Sequence, residues 1–185
     1  LYPSGFYAES KAEAEKLVLA AQNRNGEKIG VSLRLAAVYG SRMKGNYVRL
    51  LEAVRRGRFF FVGDGGNRRT LIHQQDAARA AVLAAEKSAG GEIFNAADGA
   101  VHTFREIVEA ISAALEKKTP RLHLPAAPIR FGVGAVESFG KLIGLKTPIN
   151  RALLEKLLED VAVSGDKIRD DLKFQPQFDL RAGWR

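Results

Sequence analysis

A chain of 185 residues that is 46% hydrophobic and 27% charged can bury one core or two small lobes. It has no cysteine and no apolar run nearing the ~20 residues of a membrane span, which excludes a disulfide framework, a thiolate metal site and a spanning helix; with no secretory pattern in Leu1-Tyr2-Pro3-Ser4-Gly5, a cytoplasmic location is expected. The formal charge of +8 is concentrated, with eight basic and two acidic residues between Arg42 and Arg69. That block suits a diphosphate as well as a polynucleotide, and the aromatic and repeat patterns of common nucleic-acid modules are missing, so no nucleic-acid partner is expected.

Helical spacing runs from about Tyr7 to Gln22, ending in Asn23 to Gly26. Tyr7, Lys11, Ala14 and Val18, flanked by Ser10, Leu17 and Ala21, share one face, while Glu9, Glu13, Glu15 and Lys16 are expected in solvent. A tyrosine and a lysine four residues apart lie one above the other, which suits acid/base chemistry on one substrate. Turning a phenol that titrates near ~10 into a base at neutral pH takes roughly 4 kcal/mol. An ammonium about 4 Å away, at an effective dielectric near 20, supplies a comparable amount.

The apolar run Val31 to Val38, ending at Tyr39-Gly40, reads as a strand of a parallel sheet buried on both faces, within which Arg34 needs a carboxylate or carbonyl partner. Tyr47, Leu50, Leu51 and Val54 define a helix over Asn46 to Arg56 with Asn46 as its N-cap. Phe59 to Val62 is a strand with alternate residues on opposite sides, a pattern that core packing alone explains. Gly63-Asp64-Gly65-Gly66 is not a dinucleotide loop, because the G-x-G-x-x-G spacing fails and no helix follows directly. Arg69 carries a guanidinium able to clamp phosphate oxygens bidentately.

His73 is expected to be a structural hydrogen-bond donor, and His73, His102 and His123 are too scattered for a metal site. Asp76 caps an alanine-rich helix to Glu86, Glu92 to Ala96 is a short strand, and Thr103-Phe104-Arg105-Glu106 is a capping box. That box opens a helix with Phe104, Ile107, Val108, Ile111 and Leu115 inward. Pro120 to Pro128 should be extended, followed by helices over Ala127 to Gly144, Asn150 to Glu159 and Ser164 to Leu172.

Tyr7-Ala8-Glu9-Ser10-Lys11, the strand closing on Val38-Tyr39-Gly40, and the stretch from Val62 to Ala80 stand in an order and spacing more specific than any one alone. In that combination the chain resembles the C-terminal half of an extended short-chain dehydrogenase/reductase of the NAD-dependent epimerase/dehydratase family, from Tyr7 to about Pro176. Lys44-Gly45-Asn46 and Asn67-Arg68-Arg69-Thr70 are most similar to nucleotide-sugar 4-epimerases and 4-keto reductases of bacterial surface-polysaccharide pathways.

The resemblance implies an α/β fold: part of a Rossmann-type parallel sheet (residues 1–40 and 72–98), its nucleotide-binding N-terminal half missing, plus a smaller, mostly helical α/β substrate lobe (residues 41–71 and 99–185). It implies Tyr7 and Lys11 as the catalytic pair, with both, together with the backbone at Leu35, Ala36 and Val38, along the nicotinamide end of NAD or NADP. Asn46 and Arg69 would contact the diphosphate of a nucleotide-sugar, a UDP-sugar by expectation, and Phe60 and Val62 would border its base. Ala37 replaces an asparagine that many epimerases use toward substrate, and Lys173 departs from a leucine-glycine pair typical of the family.

The family's third catalytic group, a serine or threonine, would lie upstream, so these residues alone are expected to be inactive. Two other functions remain open at this point. One is a nucleoside-diphosphate-binding or interaction module without catalysis; the other is association, as a homodimer or through the edge of the Val31–Val38 strand.

Overall fold

The computed structural model describes residues 5–87, 90–129, 131–132 and 158–184. In chain order these hold α1 (Phe6–Ala20), β1 (Val31–Leu35), β2 (Ala37–Tyr39), α2 (Asn46–Arg55), β3 (Phe61–Val62), β4 (Arg68–Arg69), β5 (Leu71–His73), α3 (Gln74–Lys87), β6 (Glu92–Ala96), β7 (His102–Thr103), α4 (Phe104–Ala114), β8 (His123–Leu124) and α5 (Asp166–Leu172). They fall into two compact units. The first takes the described parts of Leu1–Ser41, Leu71–Ala100 and Val163–Asp179, and the second those of Arg42–Thr70, Val101–Ala162 and Leu180–Arg185.

The first unit is built on parallel pairing, β1 with β6 from Val31↔Glu92 to Leu35↔Ala96, and β2 with β5 from Ala37↔Leu71 to Tyr39↔His73. The expected continuous strand breaks at Ala36, whose N–H goes to the Ala96 carbonyl (2.9 Å) before the chain takes its second partner. It is also not buried on both faces, since Leu35 and Val38 remain 47% and 38% exposed. The small side chains Ala77, Ala80 and Ala84 of α3 let that helix pack closely on the sheet around Ile72, Phe94 and Ala96. Ile168, Leu172 and Phe174 join the same core. Residues 163–179 therefore belong with the parallel strands, whereas the sequence reading had put them in the substrate lobe.

Helix α1 corrects the sequence reading of its faces. Ala8, Ala12, Glu15 and Leu19 are half-buried, while Tyr7, Lys11, Ala14, Leu17 and Val18 are exposed. The helix lies close on the strand below, because a Cβ at Gly30 would sit 1.8 Å from the Val18 carbonyl oxygen. It ends earlier than expected, with Ala21 already extended and the Asn23 side chain accepting the N–H groups of Asn25 and Glu27.

Asp76 is not the helix cap the sequence predicted. It lies inside the first turn of α3, fully buried, and its carboxylate accepts Arg79 Nη1 (2.7 Å), Gln177 N (2.9 Å) and Phe178 N (3.0 Å). A local cap has become the tie for a segment a hundred residues away. His73 is buried against Tyr39 and Phe178 in a structural setting, and its Nδ1 accepts the Gln75 N–H (3.4 Å).

In the second unit α2 and α4 accompany two short pairings, β3 with β8 in parallel and β4 with β7 antiparallel. Leu50 and Val54 of α2 are buried as the spacing required. The capping box of α4 is formed in full, Thr103 Oγ1 accepting Glu106 N while Glu106 accepts Thr103 N. Ile107, Val108 and Ile111 face inward. The extended proline segment stops at Pro125, since residues 126–129 are helical; Pro128 then stands in a first turn, where its missing N–H costs no hydrogen bond. The helices expected over Ala127 to Gly144 and Asn150 to Glu159 lie mostly outside the described residues.

Candidate active site

Tyr7 and Lys11 lie on one face of α1, with Lys11 Nζ 5.7 Å from the centroid of the Tyr7 ring. Tyr7 is 75% exposed, so its hydroxyl is not committed to an apolar interior. Ser10 donates its hydroxyl to the Tyr7 carbonyl (2.9 Å), a bond within the helix that leaves both functional tips unengaged by it. Water screens charges at such a site, so the attraction between ammonium and phenolate strengthens when the pair is covered.

Behind this pair stands a cluster that sequence reasoning misassigned. Glu15, expected in solvent, accepts Arg34 Nε (2.9 Å), Arg34 Nη2 and Ser32 Oγ (2.6 Å). The Arg34 and Ser32 hydrogen bonds draw its carboxyl down from 4.5 to about 2. Arg34 thus has the carboxylate partner its place in an apolar strand demanded. The available signal for Glu15 was its position one turn beyond Lys11, on the side of the helix that meets the strand.

Leu35, Ala36 and Val38 stand toward the C-terminal ends of parallel strands, where open α/β sheets receive ligands. The exposed side chains of Leu35 and Val38 form an apolar surface compatible with a nicotinamide ring, and the small Ala36 adds no obstruction. The Ala36 N–H is engaged by the Ala96 carbonyl (2.9 Å). These residues fit the dinucleotide.

Asn46, Phe60, Val62 and Arg69 all fall in the second unit. Asn46 is the first residue of α2, not its N-cap; Gly45, at φ 78, occupies that position and offers no side chain. Burial pushes the phenol of neighbouring Tyr47 up, and the Arg69 charge, near that phenol, opposes the shift. Arg69 is held in place by the pairing of β4 with His102 and by a bridge to Val161.

Phe60 is 42% exposed while Phe61 is buried and stacks on His123 (4.7 Å between centroids), which gives the expected alternation. Val62 lies in the wall of a cavity of about 580 Å³ shared with Gly63 to Asn67, Ala126, Leu158 and Asp160. Asp160, which the sequence did not single out, also accepts the Arg68 N–H (2.6 Å). Among the described residues there is no group of three or more His, Asp or Glu side chains placed to hold a metal, and no helix is long and apolar enough to cross a membrane.

Parallel strand pairs packed with helices define an α/β protein. Residues 1–97 match the NAD dependent epimerase/dehydratase family, and the chain belongs to that family. It is 31% identical to a 2-alkyl-3-oxoalkanoate reductase of Stenotrophomonas maltophilia, over 97% of this chain and 56% of that protein. It is 23% identical to an N-acetyl-alpha-D-glucosaminyl-diphospho-ditrans,octacis-undecaprenol 4-epimerase of Escherichia coli O157:H7, over 90% and 51%. Among solved structures, a dTDP-glucose 4,6-dehydratase of Bacillus anthracis in complex with NAD superposes with a TM-score of 0.67 at 19% identity, over all of this chain and 51% of the other. That likeness establishes the fold alone. The chain spans about half the length of the relatives it matches.

Proposed function

We propose that this chain carries the acid/base pair and the substrate-facing residues of an NAD(P)-dependent enzyme acting at C4 of a nucleotide-sugar, a UDP-sugar in the first instance. The observation that carries the reading is the Tyr7/Lys11 pair, accessible on one helix face with the cation over the ring. Tyr7 Oη moves a proton on the substrate hydroxyl while Lys11 stabilises the phenolate and holds the nicotinamide ribose. The nicotinamide, when bound beside Leu35, Ala36 and Val38, supplies the hydride chemistry. Arg69 and the N-terminal turn of α2 at Asn46 hold the substrate diphosphate, a helix N-terminus favouring anions on its own account. Phe60 and Val62 border the base.

On this reading the 185 residues alone do not turn over, because the pair needs a cofactor-binding half to cover it. Calorimetric titration of the chain with UDP should give weak binding that Arg69→Ala abolishes; equal binding by both would remove the phosphate clamp. Turnover of UDP-sugars by the isolated chain with NAD would refute the dependence on a second half.

A second reading has a specific observation behind it. Ala37 is exposed and carries no polar group where many epimerases place an asparagine toward the sugar, and the relative at 31% identity is named a 2-alkyl-3-oxoalkanoate reductase. Under that reading the same Tyr7/Lys11 pair serves reduction of the ketone of an alkyl-chain 3-oxoalkanoate. UDP would then fail to bind at all.

A further inference from the structure

We propose that Glu15 is a positioning residue, clamped by Arg34 and Ser32 so that α1 presents Tyr7 and Lys11 at one fixed rotation above the end of β1. The inference rests on the acid/base reading of that pair. None of the fifteen residues of α1 is fully buried, and the apolar side chains on the face that meets the sheet, Ala8, Ala12 and Leu19, are only half-buried, so apolar packing fixes its orientation weakly. Its attachment is by point contacts. Those near its C-terminal end are the close approach of the Val18 carbonyl to Gly30 and the Ile29 N–H bond to Ala21.

Among the described residues, the hydrogen-bonded tie between this helix and the sheet nearest Tyr7 is Glu15, on both of whose carboxylate oxygens Arg34 closes as a fork. A forked ion pair restricts rotation where a single hydrogen bond would not. Ser32, two residues before Arg34 and on the same side of β1, takes Oε2 as well, so the carboxylate is held from two points of one strand. The depressed titration of Glu15 keeps it charged at every pH at which an enzyme of this kind would work.

Tyr7 stands eight residues ahead, about 12 Å along the axis. A tilt of the helix axis by about 10°, pivoting at Glu15, therefore moves Tyr7 by about 2 Å, and a misplacement of about 1 Å can cost a hundredfold in rate. The clamp would thus act through Tyr7 and Lys11 without touching substrate.

The test compares Glu15→Gln, Arg34→Lys and the exchanged pair Glu15→Arg with Arg34→Glu by amide hydrogen exchange of the 185-residue chain. The clamp predicts exchange at least about tenfold faster from Ser10 to Glu13 in Glu15→Gln, with Ile72 and Phe94 in the sheet unchanged. It predicts a smaller effect in Arg34→Lys, which keeps the charge and loses the fork, and recovery in the exchanged pair. Unchanged exchange in α1, or equal acceleration at Ile72 and Phe94, would overturn it.

In the polypeptide joined to a nucleotide-binding half, Glu15→Gln should lower kcat by about 10–100-fold with KM within twofold, and a loss confined to KM would overturn the positioning role. Turnover that is indifferent to Tyr7→Phe would overturn the catalytic reading instead, and the exchange result would still decide the clamp.

Discussion

Asp76→Ala should cost the chain about 3–5 kcal/mol, several times what loss of a helix cap costs. The carboxylate is fully buried and receives three donors, Arg79 Nη1, Gln177 N and Phe178 N. Hydrogen bonds to a charged group contribute about 1.5–3 kcal/mol each, and stranding buried partners of a charge typically costs about 3–5 kcal/mol. An N-cap aspartate changed to alanine costs about 1 kcal/mol. The two roles are therefore separable by size.

Urea unfolding followed by far-ultraviolet circular dichroism is the assay. With a slope near 2 kcal/mol per molar, the midpoint should fall by roughly 2 M. Trypsin offers an independent readout, because freeing Gln177 and Phe178 loosens the chain beside the exposed Lys173 and should accelerate cleavage there. Asp76→Asn, which keeps one acceptor oxygen but turns an amide toward N–H donors, should fall between wild type and alanine. A loss of about 1 kcal/mol or less in Asp76→Ala, with cleavage unchanged, would refute the tie and restore the cap.

Other expectations follow from single positions. Lys173 closes α5 at φ 59, a conformation that favours glycine, so Lys173→Gly should stabilise the chain by about 0.5–1 kcal/mol in the same unfolding assay despite losing the bond to the Asp170 carbonyl. Gly30→Ala would place a Cβ 1.8 Å from a backbone oxygen that cannot rotate away; it should push α1 off β1, seen as faster exchange along α1 and a lower melting temperature. Burial lowers the pKa of His73 in the folded chain, so its neutral form is favoured there. The contribution is intact above pH ~6.5 and declines as pH falls below that value, and His73→Gln should flatten the decline in the acid window below about pH 6.5. The Glu15 contribution, from a carboxyl depressed from 4.5 to about 2, is retained through that window and is lost only as pH falls from 4.5 toward 2.

What the sequence made legible was set by local geometry. Tyr7 and Lys11 share a face because 3.6-residue periodicity requires it, and Thr103 and Glu106 form a capping box because that motif closes within four residues. Strand β6 was recognisable from Glu92 to Ala96 for the same reason.

The errors came where distant partners decide. Tyr7, Leu17 and Val18 look like an inward face by composition, yet α1 meets the sheet through Ala8, Ala12, Glu15 and Leu19, since its attachment is ionic and close-packed. Asp76 reads as a cap beside an alanine run, and nothing local announces its partners at Gln177 and Phe178. Asn46 lost the cap position to Gly45 because the chain enters α2 at positive φ, which glycine alone adopts without strain. Of the substrate candidates, the nearness of Arg69 to the Tyr47 phenol could not be read from spacing, because it depends on the pairing of β4 with β7.

The central claim is that a phenol on α1 exchanges the substrate proton. The direct measurement is the pH dependence of hydride transfer, read by nicotinamide absorbance, in the polypeptide completed by a nucleotide-binding half, with tyrosine and phenylalanine compared at position 7. The account predicts that Tyr7→Phe lowers kcat by about 10²–10⁴ while cofactor affinity is retained. Equal kcat for the two proteins across the pH range would contradict it.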